Sequence, residues 1–181
     1  AKRPKRCLAP DVFVKRGDAD ADFNSWKCWK KGAPEVAFEV LSPSDSQEPW
    51  TLDEKVERYH EMGVRELFVF DVDAQPGKRL RAWDRIEGDF VERIVDDERT
   101  VSTVLDVHLV VAPVTVVEEG IDYPACLRVA RDPDLRDLVP TREEARRDAE
   151  QARRSEERAR KEAEARVAAL EAELARVRSG S

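Results

Sequence analysis

The chain has 181 residues, of which 39% are charged, and acidic residues outnumber basic ones by 39 to 32. This length suits one domain of ordinary size with an additional segment. The acidic balance argues against non-specific coating of nucleic acid, which depends on lysine and arginine at the phosphates. No apolar run is long enough to cross a bilayer, and the basic N-terminus lacks the apolar core of a secretory signal, so we expect a cytoplasmic protein.

Charge is distributed unevenly along the chain. Residues 142–178 hold 11 basic and 10 acidic residues, whereas the remainder holds 21 basic against 29 acidic. Two basic islands stand out, residues 2–6 and residues 27–31. Trp26 and Trp29 accompany the second island, an arrangement suited to stacking on bases with lysines at the phosphates. The alternative is aromatic cover over the edge of a core, which is the more frequent role of tryptophan.

The three cysteines, Cys7, Cys28 and Cys126, are widely separated and odd in number. No Cys-x-x-Cys spacing occurs, and the chain has only two histidines. We therefore expect unpaired thiols rather than a disulfide framework or a zinc site.

The predicted elements begin with a short strand over residues 8–14, which carries Asp11, and a long loop follows to residue 32. Residues 35–41 predict the central strand, which ends before Pro43. Within it, Glu39 is surrounded by apolar residues. Burying an unpaired charge costs several kcal/mol, so Glu39 needs a partner or a metal ion.

A helix is predicted after this strand. Thr51 and Glu54 form a capping box at its start, and Gly63 ends it. The apolar stripe of the helix consists of Leu52, Val56, Tyr59 and Met62. Lys55 falls within this stripe, where it either lays its stem along the core and reaches solvent or serves a buried site.

The following segments complete a mixed α/β sheet. Residues 64–72 predict a second apolar strand, and strand, helix and strand together make a parallel βαβ crossover. Residues 79–85 and 89–95 predict an antiparallel hairpin. Residues 101–113 predict one more strand at the edge or end of the same sheet, and residues 127–130 a short strand.

Residues 142–178 contain neither glycine nor proline and predict one long helix. The alternating three-and-four spacing of a coiled-coil seam is kept by Val167, Leu170, Leu174 and Val177. The helix either associates with itself or a partner, or remains a solvated rod held by Glu/Arg pairs. The predicted domains are residues 1–113, a connector over 114–141 that packs on the first domain, and the helix.

Two carboxylates on adjacent strands, Asp11 and Glu39, with Lys55 on the buried side of the next helix, have a chemical interpretation. Carboxylate oxygens suit a hard divalent cation, which lowers the pKa of a bound water and stabilises charge on a phosphoryl oxygen. A nearby ammonium offsets developing negative charge. These residues indicate phosphodiester hydrolysis.

Four motifs carry a family resemblance: PDVFV at 10–14, the P-x-x-x-x-E-V-L-S-P-S run at 34–44, DEKVERY at 53–59 and GVRELFVFD at 63–71. Their order and spacing resemble the Uma2 family within the PD-(D/E)XK restriction-endonuclease-like superfamily. The resemblance covers residues 8 to about 113, and residues 127–144 with the following helix are similar to a C-terminal extension of many members. It implies a restriction-endonuclease-like fold and a metal-dependent endonuclease acting on DNA.

The resemblance also implies roles for single residues. Asp11 matches the metal-binding aspartate of the superfamily, and Glu39 matches the acidic residue on the next strand. Lys55 matches the lysine that in this family has moved to the helix. The carbonyl of Val40 becomes a further ligand of Mg²⁺ or Mn²⁺.

This sequence departs from the family pattern at three points. The usual lysine two residues after the glutamate is replaced by Leu41, and Thr51 stands where members often have an acidic residue. Members also begin with a helix and strands before the aspartate strand, so we expect this N-terminal helical layer to be missing.

Two other functions compete with an endonuclease. A catalytically inactive adaptor would use the same fold and the helix over 142–178 to form a homo-oligomer or dock to a protein partner. A nucleic-acid binder would use residues 27–31 with Trp26 and Trp29.

Overall fold

The structure, a computed structural model, describes residues 8–17, 26–41, 50–116 and 121–179. The basic island at 2–6, Cys7 and the predicted strand end at Pro43 lie outside these residues. The chain divides into two compact units, Ala1–Val139 and Pro140–Ser181.

Five strands form the first sheet, and their spatial order in the sheet is the same as their order in the sequence. They are β1 (Val12–Val14), β2 (Val36–Leu41), β3 (Glu66–Asp71), β4 (Leu80–Ile86) and β5 (Asp89–Arg93). Strands β2 and β3 are parallel, and every other neighbouring pair is antiparallel. The predicted βαβ crossover and the hairpin of β4 and β5 are therefore confirmed.

Two helices precede β3. Helix α1 (Cys28–Lys31) is a single turn before β2, and α2 (Leu52–Met62) is the crossover between β2 and β3. The predicted capping box at the start of α2 is present, because Glu54 N donates to Thr51 Oγ1 and Thr51 N donates to Glu54 Oε2. Gly63 ends the helix with φ of 94°, a left-handed conformation that glycine adopts without a Cβ penalty.

A second, antiparallel sheet contains β6 (Arg99–Ser102), β7 (Val107–Val116) and β8 (Ile121–Ala130). The prediction that residues 101–113 add a strand to the first sheet is wrong. The short strand predicted at 127–130 is in fact ten residues long. Pro113 and Pro124 do not break the pairing of β7 with β8, because they lie at a register shift where ladder donors are not required.

The first sheet is buried on both faces. One face packs with the second sheet in a core that includes Val36, Phe68, Leu109 and Val129. The other face is covered by α2, in a core that includes Ala37, Leu67 and Tyr59. Because side chains alternate along a strand, Ala37, Glu39 and Leu41 of β2 all point toward α2. The fold is a mixed α/β structure of the restriction-endonuclease-like class.

The second unit is helix α3 (Arg142–Ser179), 38 residues long, which confirms the predicted helix. Thr141 and Glu144 form reciprocal hydrogen bonds at its start. Several i,i+4 ion pairs lie along it, among them those of Glu150 with Arg154 and Glu157 with Lys161. None of the described residues of α3 is buried. Association through the 167–177 seam stays a prediction.

Candidate active site

Glu39 lies in the middle layer of the first unit, between β2 and helix α2. Its side chain points toward the helix. Two other residues of the same strand, Val36 and Ala37, are fully buried. Only 3% of Glu39 is exposed. A carboxylate so far from water must be compensated by specific donors.

Helix α2 supplies two donors to Glu39. Lys55 Nζ lies 3.0 Å from Glu39 Oε2, and the Tyr59 hydroxyl donates to Glu39 Oε1. Lys55 and Tyr59 are four residues apart, which places them on the same helix face one turn apart. Each oxygen of the carboxylate therefore has its own donor.

The structure decides between the two interpretations of Lys55. The lysine does not reach solvent, since only 5% of it is exposed. It forms a buried ion pair with Glu39 instead. The sequence analysis placed Glu39 and Lys55 in one site, and the structure brings the two side chains together.

Asp11 approaches the same strand from β1. Val12 pairs with Phe38, so continuing the antiparallel register places Asp11 opposite Glu39. Asp11 Oδ2 accepts a hydrogen bond from Val40 N at 2.7 Å. Unlike Glu39, Asp11 is exposed, and it lies just before the strand rather than within it.

The Val40 carbonyl lies at the same edge. The N–H and C=O of one strand residue point to the same side, so this carbonyl faces β1, as the amide does. Continuing the register by one more residue places Pro10 opposite Val40. Proline has no N–H, so it cannot donate to this carbonyl. Asp11 thus contacts the Val40 backbone where the pairing of β1 with β2 ends, and the register places Glu39 opposite Asp11.

The oxygen atoms of Asp11, Glu39 and the Val40 carbonyl are chemically suited to bind a hard divalent cation. Two carboxylates and a carbonyl are oxygen ligands of the type that Mg²⁺ prefers, with waters completing the coordination. A carboxylate offers roughly four acceptor sites, so the bonds from Lys55 and Tyr59 leave Glu39 with acceptor capacity. Among the described residues, no group of three or more His, Cys, Asp or Glu side chains is arranged to hold a metal ion. A site here would hold its cation through two carboxylates.

Two of the three departures from the family pattern are accommodated locally. Leu41 packs against the core under α2, in line with an apolar residue where the superfamily has lysine. Thr51 uses its hydroxyl and its amide in the capping box with Glu54. Both residues have structural roles at these positions.

A second buried carboxylate, Glu66 on β3, was not recognised in the sequence. It points to the opposite face of the sheet, where Thr103 N, Thr103 Oγ1 and Val104 N donate to Glu66 Oε1 at 2.8, 2.6 and 3.2 Å. The hydroxyl of Ser102 donates to Oε2. Glu66 thus fixes the turn between β6 and β7. Its signal was the same as that of Glu39, an acid within an apolar strand. Its hydrogen-bond donors come from the turn, and Arg93 of β5 lies 3.7 Å from Oε1 in an ion pair.

The two tryptophans near α1 have different environments. Trp26 packs on Phe13, donates its ring N–H to the Gly32 carbonyl at 2.9 Å and has Lys31 Nζ 4.7 Å from its ring centroid. Trp26 is thus partly buried against β1. Trp29 is 80% exposed, beside the exposed Lys30.

The described cysteines, Cys28 and Cys126, are free thiols, as expected. Burial raises the pKa of both thiols, which disfavours the reactive thiolate. No helix within the described residues combines the length and apolar character needed to cross a membrane.

The fold defines a restriction-endonuclease-like domain. Residues 2–114 match the sequence model of the Uma2 family, whose description is "putative restriction endonuclease". The match covers more than half of the 181 residues, and the chain belongs to the Uma2 family. Restriction-endonuclease-like proteins generally use divalent metal ions. None of the curated proteins matches this chain.

Proposed function

We propose that this chain is a metal-dependent endonuclease-like phosphodiesterase acting on DNA, with Asp11, Glu39 and Lys55 as its catalytic residues. The observation that carries the proposal is the buried contact between Glu39 of β2 and Lys55 of α2. Membership of the Uma2 family supports the same chemistry.

In this proposal each residue has a distinct task. Asp11, Glu39 and the Val40 carbonyl would hold Mg²⁺ or Mn²⁺ at the end of the β1–β2 pairing. The bound cation supplies Lewis-acid stabilisation of phosphoryl charge and an acidified water. Lys55 compensates the negative charge of Glu39 in an apolar layer, since its ammonium group lies 3.0 Å from the carboxylate. Asp11, at the exposed end of β1, faces the side from which a phosphodiester can approach.

The test compares Glu39→Gln with Glu66→Gln. Both glutamates are buried in adjacent strands, but they point to opposite faces of the sheet. With Mg²⁺ or Mn²⁺ and plasmid or oligonucleotide DNA, we expect cleavage by the wild-type chain and by Glu66→Gln, and loss of cleavage in Glu39→Gln. Circular dichroism and thermal denaturation check that each variant is folded. Cleavage that persists unchanged in Glu39→Gln contradicts the assignment of the site.

Contact with DNA is proposed for the basic turn at residues 27–31. Trp29 is exposed and available to stack on a base, whereas Trp26 is held in place by Phe13 and Gly32. Replacing Trp29 with Ala should weaken binding of single-stranded DNA, and the matched Trp26→Ala should mainly lower stability. Affinity that is insensitive to salt, or equal in wild type and Trp29→Ala, excludes this surface.

The second candidate function is an inactive adaptor that assembles through α3. It is favoured by the exposed apolar residues of the seam, of which Leu170 and Leu174 are 53% and 56% exposed. We propose that residues 1–113 form the nuclease-like domain, that residues 114–141 are a connector that packs on it through β8, and that residues 142–178 mediate a homo-oligomer or a protein partner. Light scattering of the chain with and without residues 142–181 tests this. An unchanged oligomeric state after deletion removes α3 from homo-oligomer formation.

A further inference from the structure

Tyr59 makes a contact that the apolar stripe of α2 does not require. Its side chain is fully buried against the sheet, where a phenylalanine ring would fill nearly the same volume. Its hydroxyl nevertheless donates to Glu39 Oε1. Lys55, one helical turn earlier, donates to the other oxygen, Oε2.

Two donors on two oxygens constrain a carboxylate more than one donor does. The terminal torsion of a glutamate side chain is broad, so an ion pair to one oxygen leaves the carboxylate plane free to rotate. Lys55 therefore compensates the charge of Glu39 but does not orient its plane. The Tyr59 hydroxyl adds the second fixed point, and ligand orientation is what residues behind a metal ligand normally supply.

We propose that Tyr59 is a positioning residue of the site, which orients the Glu39 carboxylate for the divalent cation. The assignment rests on the proposed metal site. The assignment extends that proposal, because Tyr59 is given a role although it would contact neither the cation nor the substrate. Loss of such an orienting partner typically weakens metal affinity by about 10–100-fold.

The first experiment measures Mn²⁺ affinity of the full chain by calorimetry or electron paramagnetic resonance. Tyr59→Phe removes one oxygen atom and keeps the ring. Val64→Ala is the matched control, because Val64 is fully buried in the same core and its side chain makes no hydrogen bond. We expect Mn²⁺ binding about 10–100-fold weaker in Tyr59→Phe and unchanged in Val64→Ala, whatever the loss of melting temperature in each.

The second experiment needs no substitution at position 59. The chain has only two tyrosines, Tyr59 and Tyr123, so 3-fluorotyrosine labelling gives two ¹⁹F resonances, which Tyr123→Phe assigns. We expect the Tyr59 resonance to shift on titration with Mg²⁺, because its hydrogen-bond acceptor becomes a metal ligand. The shift should be absent in Glu39→Gln.

The outcomes separate the two proposals. If the wild-type chain binds Mn²⁺ and Tyr59→Phe binds it equally well, the positioning role is wrong and the metal site stands. If Tyr59→Phe does not fold, the ¹⁹F experiment decides alone. A Tyr59 resonance that does not shift when Mg²⁺ binds to the labelled wild-type chain then contradicts the positioning role. If the wild-type chain binds neither Mn²⁺ nor Mg²⁺, the proposed metal site fails, and the role of Tyr59 fails with it.

Discussion

The ion pair between Lys55 and Glu39 gives the most direct test of the energetics of the site. In Lys55→Met the lysine stem is replaced by an apolar chain of similar length, and the Glu39 charge loses its ammonium partner. Both side chains are almost completely buried, with exposed fractions of 7% and 3%. Breaking one partner of a buried pair costs about 3–5 kcal/mol, because the remaining charge is neither hydrated nor compensated. We therefore expect Lys55→Met to lower the free energy of unfolding by this amount.

The chain contains a control in which burial, rather than distance, differs. Lys161 Nζ lies 2.8 Å from Glu157 Oε1, closer than Lys55 Nζ lies to Glu39, but the two side chains are 67% and 54% exposed. An exposed i,i+4 pair contributes about 0.3–0.5 kcal/mol. Lys161→Met should therefore have almost no effect on urea denaturation followed by circular dichroism.

A double-mutant cycle isolates the interaction. Gln at position 39 keeps an acceptor for Tyr59 and removes the charge, so Lys55→Met with Glu39→Gln should be more stable than Lys55→Met alone. The reasoning is refuted if Lys55→Met lies within about 1 kcal/mol of the wild type, below the range for a broken buried pair. It is also refuted if the two substitutions are additive in the unfolding free energy.

Two further predictions concern local interactions. Thr51→Ala should cost about 1 kcal/mol in unfolding free energy, and Thr51→Ser much less, because only serine keeps the hydroxyl that caps α2. At Glu35, burial raises the carboxyl pKa, but hydrogen bonds from Lys15 and the Arg16 amide outweigh burial and lower it overall. A lowered folded-state pKa stabilises the fold above the unfolded value, near 4.3, and this contribution disappears as pH falls through the folded value. Glu35→Gln should therefore be less stable than wild type at about pH 6, and this difference should shrink as pH falls below about 4; a difference that does not change with pH contradicts this.

Much of the first sheet and of α2 could be predicted because their signals are local. Helical periodicity placed Lys55 inside the buried stripe, and the capping box and Gly63 set the helix ends. The same periodicity assigned Tyr59 to the apolar core, since it identifies the buried face of a helix but not the atom that each side chain meets. The hydroxyl contact with Glu39 depends on the distance between α2 and β2, which no local pattern encodes.

The second sheet shows the same limit on a larger scale. Residues 101–113 have a strand pattern that fits either the edge of the first sheet or a new sheet. The choice depends on β8, whose backbone pairs with β7 across a register shift at two prolines. Pairing between distant segments is set by tertiary packing, so the sequence indicated the strand and not its partner.

The sequence by itself determined the order of the strands of the first sheet, the capped crossover helix, and the two unusual charges, Glu39 and Lys55, because these follow from residue spacing and from the cost of burial. Only the tertiary structure decided how each buried charge is compensated. Glu39 and Glu66 look alike in the sequence, yet one is bound by a lysine and a tyrosine of α2 and the other by a turn of the second sheet together with Arg93 of β5. The physical reason is that adjacent strands of one sheet can direct similar side chains to opposite faces, and the element packed on each face supplies the donors.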